Sequence, residues 1–316
     1  ALDLPLSSNN LLIPGVLVFF LIVALMMFPP LGALMGILSP FPLIFIYLQR
    51  GRQVGIALVA LVFAVLLLLV GADRAMLFLA EYALMALVLA EFIRMQLPGD
   101  RCIAGGALAS GLISVVLLAA LLGDQDTSFK EFFEKQVRAH LSESMEAFES
   151  MGEDKGEVAK MKVFAENAAE GLAAAYPAFL LIGSLIGAVV NYTLIRFAWM
   201  RLYGTGLFSG RAFSDWICPE NLVWCFIFSG AALFLGSGMV ENAGLNVFLV
   251  MLCIYFAQGL SIVVHFLKVR NVPTFFWFVL FILIFVQPIL IGLLAGLGVF
   301  DIWVDFRKIR NAEDIS

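Results

Sequence analysis

The chain has 316 residues, of which 62% are hydrophobic and only 14% charged, with a formal net charge of −5. A soluble domain carries about 25% charged residues. Together with a mean hydropathy of +1.01, this composition points to a bilayer as the solvent and excludes an ordinary soluble domain. No basic stripe runs along the chain, which argues against a nucleic-acid partner. The four cysteines, Cys102, Cys218, Cys225 and Cys253, form no CxxC pair and support neither a disulfide framework nor a structural metal cage.

Taken in chain order, residues 1–10 (ALDLPLSSNN) lack the basic segment of a cleavable leader, so the apolar run from Leu11 reads as a retained helix. A helix needs about 20 apolar residues to cross a bilayer. Runs of that kind lie near 11–28, 31–49, 55–72, 75–97, 103–123, 172–197, 221–239, 244–267 and 274–298. The second carries Pro40 and Pro42, which favour a kink or a re-entrant segment. The expected fold is therefore an all-α polytopic transmembrane bundle of eight or nine spans, forming one membrane domain over residues 1–316.

The distribution of Lys and Arg favours a cytoplasmic N-terminus. That choice gathers Arg50, Arg52, Arg94, Arg101, Arg196, Arg201, Arg211, Lys268 and Arg270 on the inner side and leaves Arg74 outside. Nine crossings would then put the tail bases Arg307, Lys308 and Arg310 outside, against the same rule, unless the proline-bearing segment does not cross.

The stretch from Phe78 to Arg101, FLAEYALMALVLAEFIRMQLPGDR, buries two glutamates in an apolar helix. Each stands roughly 9 Å inside its end of the span, and the two project about 80° apart around the axis. Arg94, three residues after Glu91, is in reach of it, so Glu91 and Arg94 read as a structural ion pair. Glu81 has no such partner on its own helix. It needs a polar group on another helix, water, or a proton.

An insert follows at residues 124–170, with 12 acidic against six basic residues. Phe129, Phe132, Phe133, Val137, Leu141, Met145 and Phe148 recur at spacings of three and four, the pattern of an amphipathic helix. MGEDKGE (151–157) reads as a turn, and a second helix runs on from about Val158. The expectation is an extracytoplasmic helical hairpin, serving either as a cover on the bundle or as a docking surface.

Further on, IGSLIGAVVNY (182–192) sets Gly183, Gly187 and Asn191 on one stripe, followed by Tyr192. Small residues at that spacing admit a close helix, and an Asn can bond across. In NVFLVMLCIYFAQGLSIVVHFLK (246–268), Gln258, Ser261 and His265 share a face, with Asn246 near the other end. A polar stripe in a membrane helix faces the bundle interior or a cavity. Glu81, Asn191, Tyr192, Asn246, Gln258 and His265 are therefore the candidate ligand-binding residues. With His140 as the only other histidine, a His-based metal site is not expected. The final stretch, GLGVFDIWVDFRKIR (296–310), starts the tail 300–316. There Asp301 is placed to cap a new short helix, Trp303 belongs to an interfacial aromatic belt, and Arg307 can pair with Asp301 or Asp305. No Walker loop, GxSxG or HExxH occurs, so neither catalysis nor a cofactor is expected.

The blocks FLAEYALMALVLAEFIR, VVNYTLIRFAWMRL (189–202), GLNVFLVMLCIYFAQGLSIVVHFL and GLGVFDIWVDFRK resemble those of the YybS-like family of bacterial membrane proteins. More distantly, the spans are similar to the substrate-binding membrane subunits of energy-coupling-factor vitamin transporters. The resemblance implies a bacterial cytoplasmic-membrane location. It also implies a bundle that binds a small polar molecule and associates with other membrane subunits and a coupling ATPase. The chain is longer than those subunits, and it lacks a clear AxxxA-type docking motif near the first span. Two functions stay open on the residues: small-molecule binding or transport in contact with membrane lipid, and a scaffold or assembly factor that docks a partner through the acidic insert or the tail.

Overall fold

The computed structural model describes residues 19, 36–123, 171–204 and 206–309. The first expected span, apart from Phe19, the acidic insert and the last residues of the tail lie outside the described residues. Within them the elements are helical, with one isolated bridge between Pro98 and Ser209. The chain clusters into two compact units: Ala1–Leu121 with Leu180–Gly210, and Leu122–Phe179 with Arg211–Ser316.

The first unit begins with α1 (Pro40–Arg50) and α2 (Arg52–Val70). At Pro40 the helical chain is interrupted, after the described turn at 36–38. A turn closes at Ser39, and the proline takes the first helical position, where an amide hydrogen would have no partner in any case. Nearly every side chain of α1 is buried. Gly51, at φ 87°, turns the chain into α2, and Gly55 lets α2 close on the ring of Tyr47. Next come α3 (Ala72–Phe78), a π-helical turn (Leu79–Ala83) and α4 (Leu84–Arg94). Gln96 stops α4 in the left-handed conformation (φ 56°), with its amide on Ile93 O and that of Leu97 on Phe92 O. This is the double bond pattern of a Schellman cap. Helix α5 (Gly99–Gly123) presents Gly105 to Phe92 and Gly106 to Leu89. Helix α6 (Tyr176–Tyr203) contributes its length from Leu180 onward. The core is built on Ile44, Ile46, Val62, Leu89, Ile93 and Ile195.

The second unit holds α7 (Leu222–Leu235), α8 (Met239–Val269), α9 (Thr274–Val286) and α10 (Pro288–Val304). Helix α8 is its axis, packed against both α7 and α10. The approach is backbone to backbone. A Cβ on Gly259 would stand 1.9 Å from the carbonyl oxygen of Leu294, and one on Gly298 would stand 2.1 Å from that of Tyr255. Gly244 meets the backbone of Ala232 and Leu233 in the same way. Gly298 lies within α10 and seats it on α8.

Five described helices are long and apolar enough to cross a membrane: Arg52–Leu69, Ala75–Arg94, Gly99–Leu117, Tyr176–Tyr203 and Met239–Val269. A sixth is possible if Thr274–Ile284 and Pro288–Val304, bent by 105° at their break, form one span. The expected span at 221–239 is realised as a helix of 14 residues, or about 21 Å at 1.5 Å per residue, short of a hydrocarbon core of about 30 Å. Helix α9 exposes Phe275, Phe276, Phe278, Ile282 and Val286, a surface that suits lipid rather than water.

Because Leu294 O is a backbone atom inside a helix, it cannot move aside alone. Gly259→Ala is expected to lower stability by about 1–3 kcal/mol, while Gly183→Ala, with open space around its Cβ position, should leave it unchanged. Thermal unfolding of the two purified variants in detergent checks this contrast.

Candidate functional site

The candidate residues divide between the units. In the first unit Glu81 sits on the π-helical turn, half-buried, with Tyr82 next to it. A π turn inside an α-helix shifts the side-chain register by one residue and is frequent at functional positions. Glu91 has two partners. Arg94 Nη2 lies 3.2 Å from Oε1, and the hydroxyl of Tyr47, from α1, donates to Oε2. This half-exposed pair ties α4 to α1.

Asn191 is fully buried, and its side-chain amide donates to Gly187 O and to Ile37 O, both at 2.7 Å. It thereby satisfies a carbonyl just ahead of α1. Tyr192 packs edge-on against Phe208, ring centroids 5.7 Å apart, and its hydroxyl lies over Gly99. The Asn191–Ile37 bond and the Tyr192 contacts each join one segment to another.

In the second unit Asn246 repairs a broken helix. Pro177 has no amide hydrogen to give the carbonyl four residues back, and its ring pushes that carbonyl away. At the next rung, Asn246 Nδ2 donates to Ala174 O (2.8 Å) and Oδ1 accepts from Ala178 N–H (2.8 Å). Regular pairing resumes with Phe179 N–H on Ala175 O at 3.1 Å. The side-chain amide is thus inserted where a backbone rung would close, as buried polar groups at helix breaks require.

The largest polar assembly joins α8, the loop before α7, and the end of α10. Gln258 Oε1 accepts from Cys218 N–H (2.9 Å), and Nε2 donates to Asp301 Oδ2 (2.7 Å). Arg307 Nη2 reaches the same Oδ2 at 3.0 Å, and Oδ1 accepts from Phe306 N–H at 3.0 Å. Three more guanidinium hydrogens bond Ser214 O, Ser261 Oγ and Trp216 O at 2.9, 3.0 and 3.0 Å, while Nε has no partner among the described residues. The Arg307 and Asp301 side chains are only 1% and 2% exposed. Charges so buried persist when paired and hydrogen-bonded.

Around this centre His265 Nδ1 lies 3.1 Å from Asp215 Oδ1, and Lys268 Nζ donates to Ser214 Oγ at 3.2 Å. The structure corrects one expectation here. Asp301 does not cap a new helix; it lies in the last turn of α10 and turns its carboxylate inward. Asp305, at φ 43°, ends α10 and accepts from Ile309 N–H at 3.2 Å. Trp303 is 62% exposed, beside Phe300.

The structure therefore unites Gln258 with Asp301 and Arg307, and leaves Asn246 on a separate task on the same helix. Sequence reasoning missed Tyr47, Asp215 and the carbonyls of Ser214 and Trp216. Tyr47 sits in an apolar helix without a polar stripe, and backbone carbonyls leave no mark in a sequence. Among the described residues no group of three His, Cys, Asp or Glu is placed to hold a metal.

Long apolar helices bonded to one another through a few buried polar side chains define an integral, multi-pass membrane protein. The chain matches, over residues 16–302, the family described as "Predicted membrane protein (DUF2232)", and it belongs to that family. No curated protein and no solved structure matches it.

If Asn246 fills the rung opened by Pro177, Asn246→Ala alone should cost about 1–3 kcal/mol, the penalty of unsatisfied buried groups. Pro177→Ala in addition lets Ala178 N–H and Ala174 O meet, so the double variant should be more stable than Asn246→Ala. A thermal-unfolding double-mutant cycle measures this coupling.

Proposed function

We propose that this protein is a non-catalytic scaffold or assembly factor of the bacterial cytoplasmic membrane, with a cytoplasmic N-terminus, and that it acts through a protein partner. The observation that carries this reading is the use to which the buried amides are put. Asn246 and Gln258 each spend both ends of the amide on backbone or side-chain partners, and Asn191 spends its NH2 group on Ile37 O and Gly187 O, leaving only its buried Oδ1 without a partner among the described residues. A ligand-binding wall presents such groups unpaired and converging. Asp301 and Arg307 are likewise consumed inside the second unit, which leaves the acidic insert 124–170 rather than the tail signature as the docking element.

A second reading rests on Glu81. A half-buried carboxylate on a π turn, with Tyr82 beside it, is the one candidate among the described residues that suits binding or transport of a small molecule. In that reading a coupling ATPase, as in the energy-coupling-factor transporters the chain resembles, would supply the energy, since no nucleotide motif is present.

Native mass spectrometry of the protein released gently from its own membranes separates the two. The scaffold reading predicts a membrane partner at fixed stoichiometry that is lost on deleting 129–165 and kept in Glu81→Gln. A small molecule bound at one per chain, lost in Glu81→Gln while the partner stays, would replace it with the transport reading.

A further inference from the structure

The second unit carries an apolar groove of about 290 Å³ between α8 and α10, walled by Ile262, Phe266, Leu297, Val272 and Phe306, with Arg270 at its edge. Two caps fix those walls. At the end of α8, Asn271 adopts the left-handed conformation (φ 50°), with its amide on Lys268 O and that of Val272 on Leu267 O, both at 3.0 Å. This Schellman pattern folds Val272 back over the last turn. Opposite, Phe306 is pinned by its amide bond to Asp301 Oδ1 at 3.0 Å.

The cations nearby differ in what is left to them. Arg307 is buried in the polar centre, and Lys268 donates to Ser214 Oγ. Arg270 is exposed, immediately follows the last residue of a membrane-length helix, and its guanidinium makes no hydrogen bond or ion pair among the described residues. A cation at a helix end over an apolar cleft is complementary to a lipid, with phosphate at the guanidinium and hydrocarbon in the cleft. A compact water-soluble anion would gain nothing from the apolar walls.

We propose that this groove is a binding site for an anionic phospholipid, with one acyl chain between Phe266, Leu297 and Phe306 and the phosphate on Arg270. The site shares the Asp301–Phe306 bond with the polar centre but takes none of its side-chain donors. It would make the second unit sensitive to the charge of its surrounding lipid.

The test uses the full chain in detergent, titrated with phosphatidylglycerol or phosphatidylcholine and read by native mass spectrometry. Phosphatidylglycerol is expected to bind more tightly than phosphatidylcholine. Arg270→Gln, an exposed change outside the buried network, should weaken phosphatidylglycerol about five-fold, the worth of one basic residue near a membrane surface. Leu297→Trp, which fills the groove, should lower the occupancy of both lipids, and glycerol 1-phosphate should not compete. Equal affinity for the two lipids, an unchanged affinity in Arg270→Gln, or competition by glycerol 1-phosphate matching that of the lipid would each overturn the proposal.

Discussion

The second unit depends on one buried ion pair. Asp301 and Arg307 lie six residues apart at the end of α10, almost without exposure. Alone, either charge would be costly in an apolar interior. Together they draw in Gln258 from α8 and the carbonyls of Ser214 and Trp216 from the loop before α7. Arg suits this position where Lys would not. Its planar fork offers donors in several fixed directions, and four of them are used here. The interaction supplies direction more than energy. Apolar helices slide over one another with little preference, whereas a guanidinium with four partners accepts one arrangement. The glycine contacts at Gly259 and Gly298 then bring the two helices close enough for those bonds to form.

The same device recurs at smaller scale. Asn246 closes a break made by proline, Asn191 satisfies a carbonyl ahead of α1, and Glu91 holds Tyr47 and Arg94. In each case a polar side chain in an apolar helix serves the backbone or a neighbouring helix. Read this way, the polar residues are the joints of the molecule. Glu81, on its π turn, stands apart from that pattern, which is why the second functional reading attaches to it alone.

Much of this was legible in the sequence, but in pieces. The helical, membrane-embedded class followed from composition, and the Glu91–Arg94 pair from helical spacing, because an i,i+3 relation is fixed by the helix itself. The polar centre was visible in two pieces: Gln258 on a polar stripe, and Arg307 in the tail with Asp301 as one of the two acids open to it. Their union was not, since Gln258 and Asp301 are 43 residues apart and meet only because α8 packs on α10. The role of Asp301 was misread for the same reason, as a cap is local and a buried carboxylate is a tertiary feature. Pro177 marks a missing backbone donor in any helix, yet nothing in the sequence says that Asn246 fills the gap. At 221–239 the apolar run overstated the helix, which stops at Gly236 because hydropathy measures a solvent preference and not a helix length.

The most direct test of the central claim is a double-mutant cycle on Asp301 and Arg307, read by thermal unfolding in detergent. Arg307→Ala should cost about 3–5 kcal/mol, because it strands a buried carboxylate. Replacing both charges, with Asp301→Leu and Arg307→Met, should recover part of that loss. If the double variant is destabilised by the full sum of the single changes, or if Arg307→Ala unfolds like the wild type, the ion pair does not organise the second unit and the account fails.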